Sequence, residues 1–177
     1  MLKKILLIAV AVLALIAVVI AMQPDTYQVT RSTEIAAPPA EVFALINDFH
    51  KWDGWSPWAK LDPNMKTTHS GAPSGTGASY YWIGNDDVGE GNMTIMDSRP
   101  NEKVQIKLAF LKPFASTAAN QFTITPAGAG SRVEWAMKGE SNFMSKGFSL
   151  AMGGMDKAIG PDFEKGLAQM KALAEKR

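Results

Sequence analysis

The chain lacks several residue types and motifs on which enzymes and metalloproteins commonly depend. It has no cysteine among its 177 residues, which excludes disulfide bonds, thiolate metal ligands and cysteine nucleophiles. Its two histidines, His50 and His69, have no partner at metal-ligand spacing. The sequence also contains no nucleophile elbow and no glycine-rich dinucleotide motif. It therefore indicates no catalytic residue, no metal and no cofactor.

An excess of charge of one sign is also absent. The 18 lysines and arginines nearly balance the 17 aspartates and glutamates, so the formal net charge is +1. Proteins that bind nucleic acids rely on a marked basic excess, because contacts with phosphates supply much of their affinity. We therefore expect no nucleic-acid partner.

One long apolar run is present, at the N-terminus. Residues 5–22 contain no charge and no glycine, and as a helix they would extend about 27 Å, close to the thickness of a bilayer core. Lys3 and Lys4 precede the run, so the positive-inside rule places the N-terminus in the cytoplasm and the remainder outside it. Residues 1–23 are expected to be a retained transmembrane anchor. The alternative is a signal peptide that is cleaved before Met22.

Residues 24–177 show the pattern of one α+β domain. Apolar residues recur at helical spacing over residues 42–49 and again over 159–174. Alternating apolar and polar residues, as over 103–110, predict strands with one buried face. Because the connections between these strands are short, they are expected to pair antiparallel. The pattern predicts a curved sheet of about seven strands wrapped on a long C-terminal helix, with a cavity between them.

Motifs spread over residues 27–176 make the chain similar to a known superfamily. They are Ile35-Ala36-Ala37-Pro38, the segment Trp52–Trp58 with Asp62-Pro63, Val88–Gly91, Ser98–Glu102, Leu111–Phe114 and Asp162–Leu167. Together they resemble the START-like helix-grip (SRPBCC) superfamily, and within it the polyketide cyclase/dehydrase-like branch of bacterial proteins. The resemblance implies a helix-grip fold with a deep hydrophobic cavity. It also implies a lipid, sterol, hormone or polyketide as ligand, and it transfers no catalytic residue.

Nine residues form the predicted ligand-binding set. Those on strands are expected to line the concave face of the sheet, because large pockets are mostly apolar and aromatic. Those in the Met/Gly-rich segment 143–155 are expected to form a gate, since methionine adapts to apolar shapes and glycine allows hinging. Ordinary core packing is the alternative for each residue. The set is Trp82, Phe110, Phe122, Trp135, Met137, Met144, Phe148, Met152 and Met155.

Three tryptophans lie close together in the sequence, at Trp52, Trp55 and Trp58. One interpretation is that they cover the cavity. A second is that they anchor the domain at the bilayer surface, where tryptophan is enriched. A third is that they pin a loop to the sheet by aromatic burial. The sequence alone leaves all three open.

These observations favour a binding module: a membrane-anchored domain that holds a hydrophobic small molecule, either lipid, isoprenoid or polyketide-like. The partners would be that molecule and the membrane, through residues 5–22. The expected location is the bacterial cytoplasmic membrane, with the globular domain on the extracytoplasmic (periplasmic) side. One alternative is a cyclase, dehydratase or hydrolase that uses Glu90, Glu134 or Glu140 as a cavity base. Another is an interaction domain whose cavity is filled by its own side chains.

Overall fold

The N-terminal apolar run forms a single helix that is exposed along nearly all of its length. In the computed structural model, which describes residues 1–176, this helix is α1 (Leu2–Ala21). None of its residues is buried against the other described residues. Its length and composition suffice to cross a membrane, and a signal sequence would meet the same criterion.

Seven strands form one antiparallel sheet in the order β1-β7-β6-β5-β4-β3-β2. Strands β2 to β6 each pair with the next strand in the chain, and β1 forms the edge of the sheet beside β7. The predicted α+β helix-grip class is thereby confirmed. The strands are β1 (Thr26–Ile35), β2 (Lys66–Gly71), β3 (Ala78–Ile83), β4 (Glu90–Arg99), β5 (Lys103–Lys112), β6 (Ser116–Ala127) and β7 (Gly130–Glu140).

Three α-helices and a short 3₁₀ helix complete the described chain after α1. Helix α2 (Pro39–Ile46) begins with proline at its first position. Proline is tolerated there because the N–H group of the first residue makes no hydrogen bond within a helix. It leads into the 3₁₀ helix (Phe49–Gly54). After the sheet, α3 (Phe143–Ala151) precedes the long C-terminal helix α4 (Met155–Ala174). The predicted long helix is present, and it packs on the concave face of the sheet.

An ion-pair network fixes α4 to the edge strand β1. The Arg31 guanidinium donates to both carboxylate oxygens of Asp156, at 2.7 and 3.0 Å, and its Nε donates to Glu164 Oε1 at 2.7 Å. Bidentate pairs of this kind are geometrically specific. The guanidinium lies over Gly160, where a β-carbon would collide with it. The network and the glycine together set the position of α4 along the strand.

Candidate ligand cavity

A partly enclosed cavity of about 350 Å³ lies between the concave face of the sheet and the helices. This volume is at the lower end of the range of known ligand pockets, about 300–1,000 Å³. Its walls are predominantly apolar and aromatic, and they come mainly from the five strands β3 to β7, from helices α3 and α4, and from the segment after the 3₁₀ helix. The principal wall residues are Trp58, Tyr80, Trp82, Met93, Leu108, Phe110, Asn120, Trp135, Met137, Phe148, Ile159 and Phe163.

The cavity occupies one half of the concave face because large side chains fill the other half. Along β6, Phe122 is fully buried and its ring contacts those of Trp55 and Trp135, with centroids 5.9 and 4.8 Å away. Two residues earlier on the same face, the smaller Asn120 borders the open space. The Phe163 ring of α4 stacks on Trp135 with centroids 4.0 Å apart. These stacked rings form one wall of the cavity.

The structure brings five of the nine predicted residues to the cavity wall. All five face the space between the sheet and the helices, four from strands and one from α3. Whether any of them contacts a ligand stays a prediction. They are Trp82, Phe110, Trp135, Met137 and Phe148.

The other four predicted residues lie elsewhere. Phe122 is on the predicted concave face but is sealed in the filled half of the core. Met144 and Met152 are 54% and 49% exposed on α3, pointing away from the protein. Met155 packs against the edge of the core at the start of α4. Sequence periodicity identified which residues lie on the concave face of the sheet. It does not show which part of that face is covered by other side chains and which part borders the cavity.

The predicted gate, residues 143–155, is a helix followed by a turn. Helix α3 accounts for the first nine residues, and a turn then leads into α4. Gly153 and Gly154 adopt φ values of 76° and 112° in this turn, conformations that residues with a β-carbon rarely adopt. The glycines are therefore needed for the sharp reversal between the helices. Of the residues in this segment, Phe148 is the one that lines the cavity.

Helix α3 has inverted polarity. Its inward side carries the buried Lys146 and the half-buried Ser145 and Ser149. Surface helices of soluble proteins show the opposite arrangement, with the apolar side facing the core. The large apolar residues of the helix and its C-cap are instead 42% to 54% exposed, and they are here named the apolar face of α3, of which Phe148 also borders the cavity. They are Phe143, Met144, Phe148, Leu150 and Met152.

Helix α3 is attached to the C-terminal end of α1. The Lys146 ammonium donates to Asp25 Oδ1 at 2.6 Å and to the carbonyl oxygen of Ala21 at 3.4 Å. This pairing holds the pKa of Asp25 below its usual value. The apolar face of α3 is thus positioned where the apolar helix α1 ends.

The tryptophan cluster divides between core and cavity. Trp52 and Trp55 are 5% and 0% exposed, and their indole nitrogens donate to the carbonyl oxygens of Ile46 and Leu45 at 2.9 and 3.1 Å. These bonds hold the end of the 3₁₀ helix against α2, and both indoles contact Phe122 of β6, which excludes a role for the two residues as bilayer anchors. Trp58 is half-buried and covers part of the cavity, meeting Trp135 edge to face.

Among the buried residues of the wall, two carry a polar side-chain group with no hydrogen-bond partner within residues 1–176. One is the amide nitrogen of Asn120, whose side chain is 4% exposed. The other is the hydroxyl of Tyr80, which is 8% exposed. Burial, together with the nearby charge of Asp53, raises the pKa of Tyr80 to about 12. The hydroxyl is therefore neutral and able to donate at physiological pH.

The three glutamates considered as cavity bases lie on the outer face of the sheet. Glu134 and Glu140 alternate along β7 with the buried residues Val133 and Trp135 and therefore point the other way. Glu90 accepts hydrogen bonds from Lys112 Nζ at 2.7 Å and from the Tyr81 hydroxyl. These contacts lower its pKa, whereas a cavity base would need a raised one. None of the three faces the cavity, which counts against the alternative of an enzyme that uses one of them as its base.

Sequence reasoning missed several wall residues, including Asn120, Tyr80, Ile159 and Phe163. Signals for some of them were present. Asn120 lies two residues before Phe122 in the same alternating pattern, and Ile159 and Phe163 belong to the predicted apolar stripe of the last helix. A polar residue in an otherwise apolar strand face is a useful sign that a pocket adjoins it.

Comparison with known proteins agrees with this architecture. The model of the family described as "Polyketide cyclase / dehydrase and lipid transport" matches residues 26–175. The chain belongs to this family. The match covers the whole sheet and α4 and excludes α1, so the resemblance stated from the sequence is confirmed. No curated protein is similar enough in sequence to match the chain.

Solved structures support the same fold at low sequence identity. Protein CV1439 from Chromobacterium violaceum is 14% identical with a TM-score of 0.61, over 88% of this chain and 100% of that one. A protein from Nitrosospira multiformis is 20% identical with a TM-score of 0.60, over 85% and 97%. DynU16, a protein of the dynemicin biosynthetic locus, is 16% identical with a TM-score of 0.56, over 87% and 48%.

Proposed function

We propose that this member of the polyketide cyclase/dehydrase and lipid transport family binds a hydrophobic small molecule, lipid, isoprenoid or polyketide-like, while anchored to a membrane. The observation that carries the proposal is the cavity of about 350 Å³ with its apolar, aromatic walls. Burying apolar ligand surface there contributes about 25 cal/mol per Å². Because this cavity is open, it also argues against the alternative of an interaction domain whose cavity is filled by its own side chains.

The anchor would be α1, retained after synthesis, with residues 24–177 as the ligand-binding domain. Two contacts of α3 support retention, because Lys146 binds both Ala21 at the end of α1 and Asp25 just beyond it. The inverted polarity of α3 gives further support, since its apolar face would otherwise meet water. With Lys3 and Lys4 on the cytoplasmic side, the domain would lie on the extracytoplasmic side.

The position of α3 also suggests a route for the ligand. Phe148 lines the cavity and is still 50% exposed at the apolar face of α3. A molecule dissolved in the bilayer would therefore reach the cavity beside Phe148 without crossing water. Amphipathic helices of this kind commonly lie in the interface between lipid headgroups and acyl chains. The anchor would serve the binding function by holding the cavity entrance at the bilayer in which the ligand is dissolved.

The test is uptake of radiolabelled palmitate by the full chain in lipid nanodiscs, measured by equilibrium dialysis against empty nanodiscs. Leu108→Trp adds an indole to the cavity wall, and Met96→Trp adds the same ring at a site 57% exposed. We expect excess palmitate with the wild type and with Met96→Trp, and its loss in Leu108→Trp. Equal uptake by all three proteins would refute cavity binding.

A further inference from the structure

The wall of the cavity contains one polar side chain whose direction is fixed by a neighbour. Asn120 is 4% exposed and lies on the concave face of β6. Its cross-strand neighbours are Ile106 on β5 and Met137 on β7, and neither offers a hydrogen-bonding partner. The amide therefore borders apolar side chains on both sides and the cavity in front.

Trp135 determines which end of the amide faces the cavity. The indole Nε1 donates to Asn120 Oδ1 at 3.3 Å. Because an indole nitrogen can only donate, the amide atom that meets it is the oxygen. The amide nitrogen of Asn120, with its two N–H donors, then has no acceptor among residues 1–176. Because Asn120 lines the cavity, these N–H groups are open to it and can donate to an acceptor atom of a molecule held there.

From this arrangement we infer that Asn120 donates a hydrogen bond to a carbonyl or hydroxyl oxygen of the bound molecule. The inference rests on the proposed function and refines it. The ligand is an apolar molecule that carries an oxygen acceptor in its most deeply bound part, and a pure hydrocarbon binds less well. The aromatic walls formed by Trp135 and Phe163 accommodate a flat ring system beside that oxygen.

Asn120 and Tyr80 are the buried residues of the wall that carry an unpaired polar group, whereas the other polar wall residues are partly or fully exposed: Asp53, Ser56, Asp86, Asp87 and Lys112. Lys112 lies at the cavity but its ammonium is paired with Glu90 at 2.7 Å. Tyr80 has a free hydroxyl, but it lies on β3, which is separated from β6 by β4 and β5 in the sheet. Tyr80 therefore serves as the matched control, because its hydroxyl can be removed from the same cavity without touching Asn120.

The test uses two probes of nearly equal shape, acetylnaphthalene and isopropylnaphthalene, which differ by one carbonyl oxygen. Each is dialysed between nanodiscs with the full chain and empty nanodiscs. Since a neutral hydrogen bond contributes about 0.5–1.5 kcal/mol, we expect roughly two- to tenfold tighter binding of acetylnaphthalene to the wild type. Asn120→Leu should abolish the preference, and Tyr80→Phe should retain it. ¹⁵N spectra should show the Asn120 side-chain amide signal shifting with acetylnaphthalene alone.

The outcomes separate this inference from the proposed function. If both probes bind the wild type equally, or if Tyr80→Phe removes the preference and Asn120→Leu does not, Asn120 is not the donor while cavity binding stands. If neither probe binds, the inference fails, and the palmitate measurement decides whether the proposed function fails with it. Should Asn120→Leu not fold, the comparison of the two probes on the wild type and the amide signal still decide the question.

Discussion

Gly166 of α4 lies directly against the indole of Trp135. A β-carbon at residue 166 would be 2.9 Å from Cζ3 of Trp135 and 3.0 Å from Cδ of Pro57. Real β-carbons do not approach other atoms so closely without displacing them. Glycine at this position therefore sets the distance between α4 and the sheet, and with it the width of the cavity beside the Trp135–Phe163 stack.

Replacing Gly166 with alanine should lower the stability of the protein. Overpacking a tight contact costs about 1–3 kcal/mol, which outweighs the gain of about 0.5–1 kcal/mol from alanine in a helix. The measurement is thermal unfolding of the full chain in nanodiscs. Gly147→Ala is the control, because its β-carbon would meet Ile20 at an ordinary 3.5 Å. A Gly166→Ala protein as stable as the Gly147→Ala protein would show that α4 approaches the sheet less closely.

The ion pair between Arg31 and Asp156 should make stability depend on pH in the acid range. The hydrogen bond from Arg31 holds the pKa of Asp156 below its usual value of 3.8. A carboxyl group with a lowered pKa stabilises the folded state above its unfolded-state pKa, and the effect is lost as the pH falls through the folded-state value. Asp156→Asn should therefore lower the melting temperature at neutral pH, and the difference from the wild type should vanish in strong acid.

A matched control for this pH effect is Asp162→Asn on the same helix. Asp162 forms no ion pair within residues 1–176. Its substitution should leave the pH dependence of the melting temperature unchanged. If Asp156→Asn and Asp162→Asn give the same curve, the network of Arg31 does not hold α4 in solution.

The apolar face of α3 should lie in the lipid interface. Since the chain has no cysteine, a nitroxide can be attached at a single site through Met144→Cys, with Ala129→Cys in the distant β6–β7 turn as the control. In nanodiscs, the label at residue 144 should be more accessible to oxygen than to a water-soluble nickel chelate. The label at residue 129 should show the reverse. Equal accessibility profiles at the two sites would place α3 in water.

Retention of α1 has a direct signature in the mass of the protein. The full chain has a mass of 19.1 kDa, and a cut before Met22 would remove all of α1. Protein isolated from a membrane fraction should have the full mass, because α3 binds the end of α1 through Lys146. Recovery of only the shorter form in a soluble fraction would identify α1 as a cleaved signal.

The sequence predicted the sheet and α4 well, because one face of each is buried and the periods of two and 3.6 residues are then visible. Helix α3 was not predicted as a helix, because it lacks the usual pattern of buried apolar and exposed polar residues. Its apolar residues face outward and Lys146 faces inward, so the pattern of Phe143 and Met144 with nearby glycines was interpreted as a gate. A helix whose apolar residues are exposed does not show the pattern expected of a surface helix in a soluble protein.

The cavity itself was predicted only as a general feature of the fold. Trp135 and Met137 reach the wall because their strand phase was correct. Phe122 has the same phase but is enclosed by the tryptophans of the 3₁₀ helix. Such a distinction depends on contacts between residues distant in sequence, which periodicity along one strand does not encode.

The central claim is that the cavity holds an apolar small molecule, and the most direct measurement is mass spectrometry of organic extracts. The full chain, Leu108→Trp and Met96→Trp would be purified in the same way and extracted after exchange into the same synthetic lipid. We predict one apolar species in stoichiometric amount from the wild type and from Met96→Trp, and its absence from Leu108→Trp. Extracts identical for all three proteins, with the synthetic lipid alone, would contradict the account.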